Sequence, residues 1–281
     1  MLKKIHGLIM LLRLPSAILM NLFIFVPLLL HYHDISFALI QTIPMLLLIM
    51  GEIALNDCCD IERDKINKPK RPLANDLLNR KQGIIIVCIT LICALILALF
   101  IYSLYSIQFL IFTLLLLVLS LYNIKNSFFQ MLKTFITSLS TVLALCFILT
   151  YISIPNNYLY FLASAFFFIE GRELLMDIRD FEGDSETDYC TLAVKLGCKN
   201  VFRISLVSFI VSFLISLIGL IPIWSQKVYK VLLFVIAFIF INIFVFIFYN
   251  SKIKNDNKTT ANRAIILMWI PMILMLVAFF I

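Results

Sequence analysis

The chain has 281 residues, 63% of them hydrophobic and only 14% charged, with a mean hydropathy of +1.05. A soluble globular domain carries about a quarter charged residues, so composition excludes that class and indicates an integral membrane protein. The net charge of +7 raises the question of a nucleic-acid partner, and the placement of the basic residues answers it in favour of membrane topology.

Apolar runs of the length that crosses a bilayer as a helix, about 17 to 25 residues, fall near 14–30, 36–56, 84–102, 105–122, 131–152, 158–176, 202–223, 229–249 and 263–281. They predict an all-α, polytopic protein of nine transmembrane helices forming one domain over 1–281. With the N-terminus in the cytoplasm, 21 of the 23 Lys and Arg residues fall in cytoplasmic segments and only Lys227 and Lys230 lie outside. That is a strong positive-inside bias. It places the chain in the cell membrane with lipid as its surroundings, and it leaves no basic patch for nucleic acid. Arg13 interrupts the first hydrophobic stretch and no small-x-small cleavage site follows, so the first run is expected to stay as a helix. The seven cysteines form no CxxC pair and predict no disulfides. His31 and His33 suit an outer loop better than a metal site.

Acidic residues are concentrated in two places. Six of the 16 lie in 52–76 and eight in 170–188; only Asp34 and Asp256 lie elsewhere. After the second run, "NDCCDIERD" carries Asp57, Asp60, Glu62 and Asp64. After the sixth, "DIRDFEGD" repeats the same D-x-x-D-x-E-x-D spacing with Asp177, Asp180, Glu182 and Asp184. On the expected topology both lie at the cytoplasmic side. In each, the aspartates stand at i, i+3 and i+7, one stripe of a helix.

A carboxylate ridge next to a membrane is self-repulsive and costly unless paired or metal-bound. Magnesium takes oxygen ligands and is usually held by one or two carboxylates together with substrate phosphates. Two such ridges on one membrane face therefore describe a pocket for a magnesium-bound phosphate or diphosphate. A single D-x-x-D between spans is commonly just solvated. Duplication on the same face of a chain otherwise nearly free of acid argues against that reading here. The segment "KINKPKRPLAND" follows the first motif. Its Lys65, Lys68, Lys70 and Arg71 can grip phosphate oxygens. Arg71, set between Pro69 and Pro72, is the strongest candidate; Lys68 and Lys81 fit better as topology markers.

At these residues the sequence resembles the UbiA superfamily of intramembrane prenyltransferases. Asn56, Asp57, Asp60, Asp64, Arg71 and Pro72 match the first motif of that family, and Asp180 and Asp184 match its second, with Asp177 one helical step earlier. Tyr122 and Lys125, after the fourth run, correspond to a further motif. "GRELLMDIRDFEGD" and "DIERDKINKPKRPL" look most like the branch of archaeal digeranylgeranylglyceryl phosphate synthases. Two places depart from the family pattern: Asp188 and Cys190 stand near an expected Gly and Lys or Arg, and Lys133 and Thr134 near an expected small residue and Asn.

The resemblance implies transfer of an isoprenyl group from an allylic diphosphate to a lipophilic acceptor, within helices arranged around a central cavity that opens near the cytoplasmic face. It implies magnesium held by Asp57, Asp60, Asp64, Asp177, Asp180 and Asp184, with Asn56, Lys65, Arg71 and Lys125 at the diphosphate. Tyr122 and Lys125 would join Asp57, Asp60, Asp180 and Asp184 in catalysis. The acceptor is expected to be a prenylglyceryl phosphate, or else an aromatic quinone precursor; a terpene cyclase of the same fold would need none. A cation transporter would spread its acids through the spans, whereas these gather at one face.

Overall fold

A computed structural model describes residues 2–68, 70–104, 106–124, 126–152, 158–220, 228–254 and 258–280. Among these there are helices and turns and no strands. In chain order the helices are α1 (Leu2–Leu11), α2 (Leu14–Tyr32), α3 (Ile35–Cys59), α4 (Ile61–Asn67), α5 (Arg80–Tyr102), α6 (Ile107–Tyr122), α7 (Ser127–Met131), α8 (Lys133–Ile148), α9 (Tyr158–Glu186), α10 (Leu192–Leu196), α11 (Cys198–Leu220), α12 (Val228–Phe248), α13 (Lys258–Leu267) and α14 (Trp269–Phe280), with a π-helical turn at Tyr249–Lys254 between α12 and α13.

Each of the nine apolar runs carries a helix among the described residues. Five of them, α2, α3, α5, α11 and α12, are long and apolar enough by themselves to cross a bilayer, while α6 and α8 are shorter apolar helices. The last run is divided at Met268 into α13 and α14. Pro271 lies just past that break and lacks the N–H that would reach the Leu267 carbonyl. The outer surface suits a lipid environment. Along α5, Ile85, Ile89, Ile92, Ile96 and Phe100 are all exposed, Phe100 at 83%. That is a stripe at helical spacing, turned outward in a way water would oppose. The protein is a multi-pass α-helical membrane protein.

The chain forms two compact units. The first comprises residues 1–130, 143–153 and 182–188. There α3 packs along α5 and α2, and Gly51 lets α5 come close, since a Cβ would strike Leu91. Asp34 caps α3 by accepting from the backbone N–H of Ser36 at 2.8 Å and of Phe37 at 3.0 Å. Asn79 and Gln82 form a reciprocal capping box that starts α5. Near the start of α3, Tyr102 and Tyr151 donate to the carbonyl and side-chain oxygens of Gln41, each at 2.6 Å. At the other end of α3, Ala54 and Cys58 join Leu11, Leu73, Leu78 and Val87 in a buried cluster. This cluster fixes the segment 70–79, which carries Arg71, against the end of α3.

The second unit comprises 131–142, 154–181 and 189–281. Its helices α9 and α11 are joined by small polar residues. Ser164 donates to the Ser212 carbonyl at 3.0 Å, Ser212 to the Ser164 carbonyl at 2.9 Å, and Ser205 to the Gly171 carbonyl at 2.7 Å. Small hydroxyl residues serve this purpose in lipid, where close backbone approach and interhelical hydrogen bonds replace the hydrophobic effect.

Candidate active site

The first acidic motif lies where α3 gives way to α4. It was expected as one straight ridge, but α3 ends at Cys59. Asp60 adopts φ −105°, ψ 18°, and α4 begins at Ile61. The backbone ladder still runs through the bend, from the Asp60 N–H to Asn56 at 3.0 Å and from the Asp64 N–H to Asp60 at 2.8 Å. Asp57, Asp60 and Asp64 are therefore carried on a kinked support, and all three are buried.

Burial this deep requires partners, and three arginines supply them. Arg13 bonds Asp57 Oδ1, and the Nη1 of Arg71 lies 3.0 Å from the same oxygen while also bonding Asp64. Lys68 Nζ stands 3.8 Å from Asp64 Oδ1. Arg63 bonds Asp60, and its Nε lies 3.6 Å from Asp184 Oδ1. Asp184 belongs to the second motif, so Arg63 links the two motifs inside the first unit. A backbone bond reinforces the link: the Gly183 N–H donates to Asn67 Oδ1 at 3.1 Å. Any side chain at position 183 would collide with Asn67, because a Cβ would lie 2.5 Å from its nitrogen.

Arg13 adopts φ 44°, ψ 46° between α1 and α2, a left-handed conformation uncommon outside glycine and asparagine. The backbone turn carries the guanidinium to Asp57. Burial lowers its pKa from the usual arginine value, with the Asp57 charge opposing that shift.

The second motif lies on α9 without interruption, so its aspartates share a stripe as expected. Asp177 is buried. Asp180 is gripped by Arg179 through both oxygens, at 2.7 and 2.8 Å. These two residues belong to the second unit and Asp184 to the first.

The remaining expected residues vary in their placement. Asn56 and Tyr122 are half-buried at the ends of α3 and α6. Lys65 is exposed and turns to Glu62, with Nζ at 3.0 Å from Oε1. It is set apart from the Arg71 group because α4 points it outward. Lys125 lies outside the described residues. At the departures from the family pattern, Asp188 has φ 50° and Thr191 caps α10. Thr134 and Ser138 donate to the two carboxylate oxygens of Glu170, at 2.7 and 2.9 Å. Arg13 and Arg63 were not singled out for the site from the sequence. A lone cation within an apolar run was the available signal for Arg13. Arg63 had none, since its position between two motif acids reads as a spacer.

Among the described residues no three acid, His or Cys side chains are gathered as a cage for a metal ion. The donor set nevertheless suits a hard divalent cation, being carboxylate oxygens only. Asp57 Oδ2 and Asp64 Oδ1 are buried with no hydrogen-bond partner among the described residues, so carboxylate oxygens of the first motif have capacity left for a cation.

Within the first unit, buried aspartates of both acidic motifs are thus paired with buried or half-buried arginines in a protein whose helices carry exposed apolar faces. Residues 14–279 match the model of the UbiA prenyltransferase family. The chain belongs to that family. Digeranylgeranylglyceryl phosphate synthase of Sulfolobus acidocaldarius is 33% identical over 166 residues, 57% of each chain. The chain thus spans a little over half the length of that relative. The enzyme of the same name from Methanosphaera stadtmanae is 26% identical over 229 residues, 80% of each. A solved structure from work on digeranylgeranylglyceryl phosphate synthase in membranes aligns over 99% of this chain and 97% of its own, with TM-score 0.63 and 24% identity. A UbiA homolog from Archaeoglobus fulgidus bound to GPP and Mg2+ aligns over 96% and 99%, with TM-score 0.60 and 14% identity.

Proposed function

We propose that residues 1–281 act as one prenyltransferase domain that moves an isoprenyl group from an allylic polyprenyl diphosphate to a prenylglyceryl phosphate, releasing diphosphate. The observation that carries this reading is the charged network of the first unit. There Asp57, Asp60, Asp64 and Asp184 are balanced by Arg13, Arg63, Arg71 and Lys68. Such a network exchanges partners at little net cost when a cation and an anion arrive together. The carboxylates can turn to the cation and the guanidinium groups to phosphate oxygens, which the planar fork of arginine fits well.

Magnesium is the proposed cation, held by Asp57, Asp60 and Asp64 of the first motif and Asp177, Asp180 and Asp184 of the second, with Asn56 beside them. When bound it supplies Lewis-acid stabilisation of the leaving diphosphate. Arg71 and Arg13 would hold the diphosphate oxygens as negative charge grows on them, already in position and shielded from bulk water. Tyr122, at the end of α6, and Lys125 complete the proposed site. The prenyl chain would run from there between the helices, in a central cavity open toward the cytoplasm. Water would be kept from the allylic cation by the apolar walls. The relatives named for digeranylgeranylglyceryl phosphate synthase support the choice of acceptor, and the neighbour bound to GPP and Mg2+ supports the donor and the metal.

The test is incubation of the purified protein in nanodiscs with magnesium, prenyl diphosphates of several lengths and a panel of acceptors, read by mass spectrometry. The expected product is a prenyl ether of the glyceryl phosphate. A product from an aromatic acceptor, or a cyclised hydrocarbon formed without any acceptor, would replace this reading.

A further inference from the structure

One buried carboxylate of the first unit takes no part in the arginine network. Glu52 lies on α3 one turn before Asn56 and is 5% exposed. Its two neighbours come from the end of α6: Ser120 Oγ at 3.5 Å from Oε1 and Asn123 Nδ2 at 3.4 Å from Oε2. Both distances are at the long limit for hydrogen bonds. The other acids show how loose this is. Asp57, Asp60, Asp64 and Asp184 each have a cation, and Glu170 of the second unit has two hydroxyl donors within 2.9 Å. No cation among the described residues pairs with Glu52. Beside it, Asn123 Oδ1 is buried with no hydrogen-bond partner among the described residues. Ser120 Oγ donates at shorter range to the Leu116 carbonyl, at 2.7 Å, and Asn123 Nδ2 also to the Leu119 carbonyl, at 3.3 Å, so the Glu52 carboxylate and the Asn123 amide oxygen keep hydrogen-bonding capacity unused, an arrangement that is expensive unless a ligand completes it.

The ligand such a group accepts carries a hydrogen-bond donor, and in the proposed reaction the donor is the acceptor's O–H. Its place along α3 says which one. Glu52 is five residues before Asp57, a rise of roughly 7 Å, on the side toward the middle of the span, and it shares a helix face with Asn56. In a displacement at an allylic carbon, the attacking atom stands about 3–3.5 Å beyond that carbon. A base then sits about 2.6–3.2 Å beyond the attacking atom. With the diphosphate at the motif, the base then stands beyond the allylic carbon toward the middle of the span, the side of the motif on which Glu52 lies.

We propose that Glu52, with Ser120 and Asn123, contacts the hydroxyl group of the acceptor and takes its proton as the ether bond forms. The inference rests on the prenyl-transfer reading above. The C1–O bond of the donor breaks and its electron pair leaves with the diphosphate. The acceptor oxygen forms the new C1–O bond, and its proton passes to the Glu52 carboxylate, which later returns it to water or to diphosphate. No other reactant is required.

The experiment compares wild type with Glu52→Gln, Glu52→Asp and Glu52→Ala as full chains in nanodiscs, supplied with magnesium, geranylgeranyl diphosphate and geranylgeranylglyceryl phosphate. Glu52→Gln keeps the size and the polar contacts of the site. It is expected to lower kcat for ether formation by about 100-fold or more while leaving the KM for the donor within twofold. Glu52→Asp should recover part of that loss, and added formate should partly restore Glu52→Ala. The proposal is overturned if Glu52→Gln retains kcat within threefold, or if its loss is matched by a rise in donor KM, which marks damage to the diphosphate site. A wild type that releases no diphosphate with any donor overturns the prenyl-transfer reading itself, and is told apart because no variant comparison then arises.

Discussion

Arg63 holds Asp60 of the first motif and lies 3.6 Å, by its Nε, from Asp184 of the second. Its side chain is 5% exposed. Removing one partner of a buried ionic group leaves uncompensated charge and typically costs about 3–5 kcal/mol. Arg63→Ala should therefore lower the thermal midpoint of the purified protein sharply without added metal. Magnesium, by screening Asp60 and Asp184, should raise the midpoint of the variant more than that of wild type. Equal magnesium shifts in both would show that these carboxylates do not meet the metal.

Arg71 touches Asp57 and Asp64 through one nitrogen, Nη1, leaving the rest of its fork for phosphate. Lysine at this position keeps the charge and loses the fork. Arg71→Lys should raise the KM for the prenyl diphosphate by about tenfold, equivalent to about 1.4 kcal/mol, with a much smaller effect on the acceptor. Unchanged donor KM in a titration of diphosphate release would remove Arg71 from the site.

Cys58 and Cys59 sit between working positions of the first motif. Cys58 is buried in the cluster formed with Leu11, Ala54, Leu73, Leu78 and Val87, so its role is packing. Cys58→Ala with Cys59→Ala should keep turnover within about twofold and cost about 1 kcal/mol of stability, ordinary for a modest core truncation. A tenfold loss of turnover at full folding would give the sulfur a part in the chemistry.

Much of this architecture is legible in the sequence because lipid imposes a simple rule. Every span must be a helix with apolar sides, so each apolar run carries a helix among the described residues, five of them long enough to span alone, and the doubled acid spacing marks the candidate site. What the sequence hides is how the acids are neutralised. Periodicity treats Asp57, Asp60 and Asp64 as one stripe, yet the bend at Asp60 divides them between α3 and α4. Arg13 reaches Asp57 from 44 residues away, a pairing that no local spacing encodes. Lys65 stands among the other bases of "KINKPKRPLAND" and faces outward, because four residues of α4 decide its direction. Glu52 reads as one more acid near the motif, and only its neighbours on α6 set it apart.

In the proposed reaction both motifs serve one metal-dependent ionisation of an allylic diphosphate. It is tested most directly by diphosphate release from geranylgeranyl diphosphate in nanodiscs, with and without magnesium, for wild type, Asp57→Ala and Asp180→Ala. Wild type is expected to release diphosphate only when magnesium is present, in one-to-one ratio with the prenyl ether, and each variant to lose both products. Undiminished turnover in both variants would contradict it.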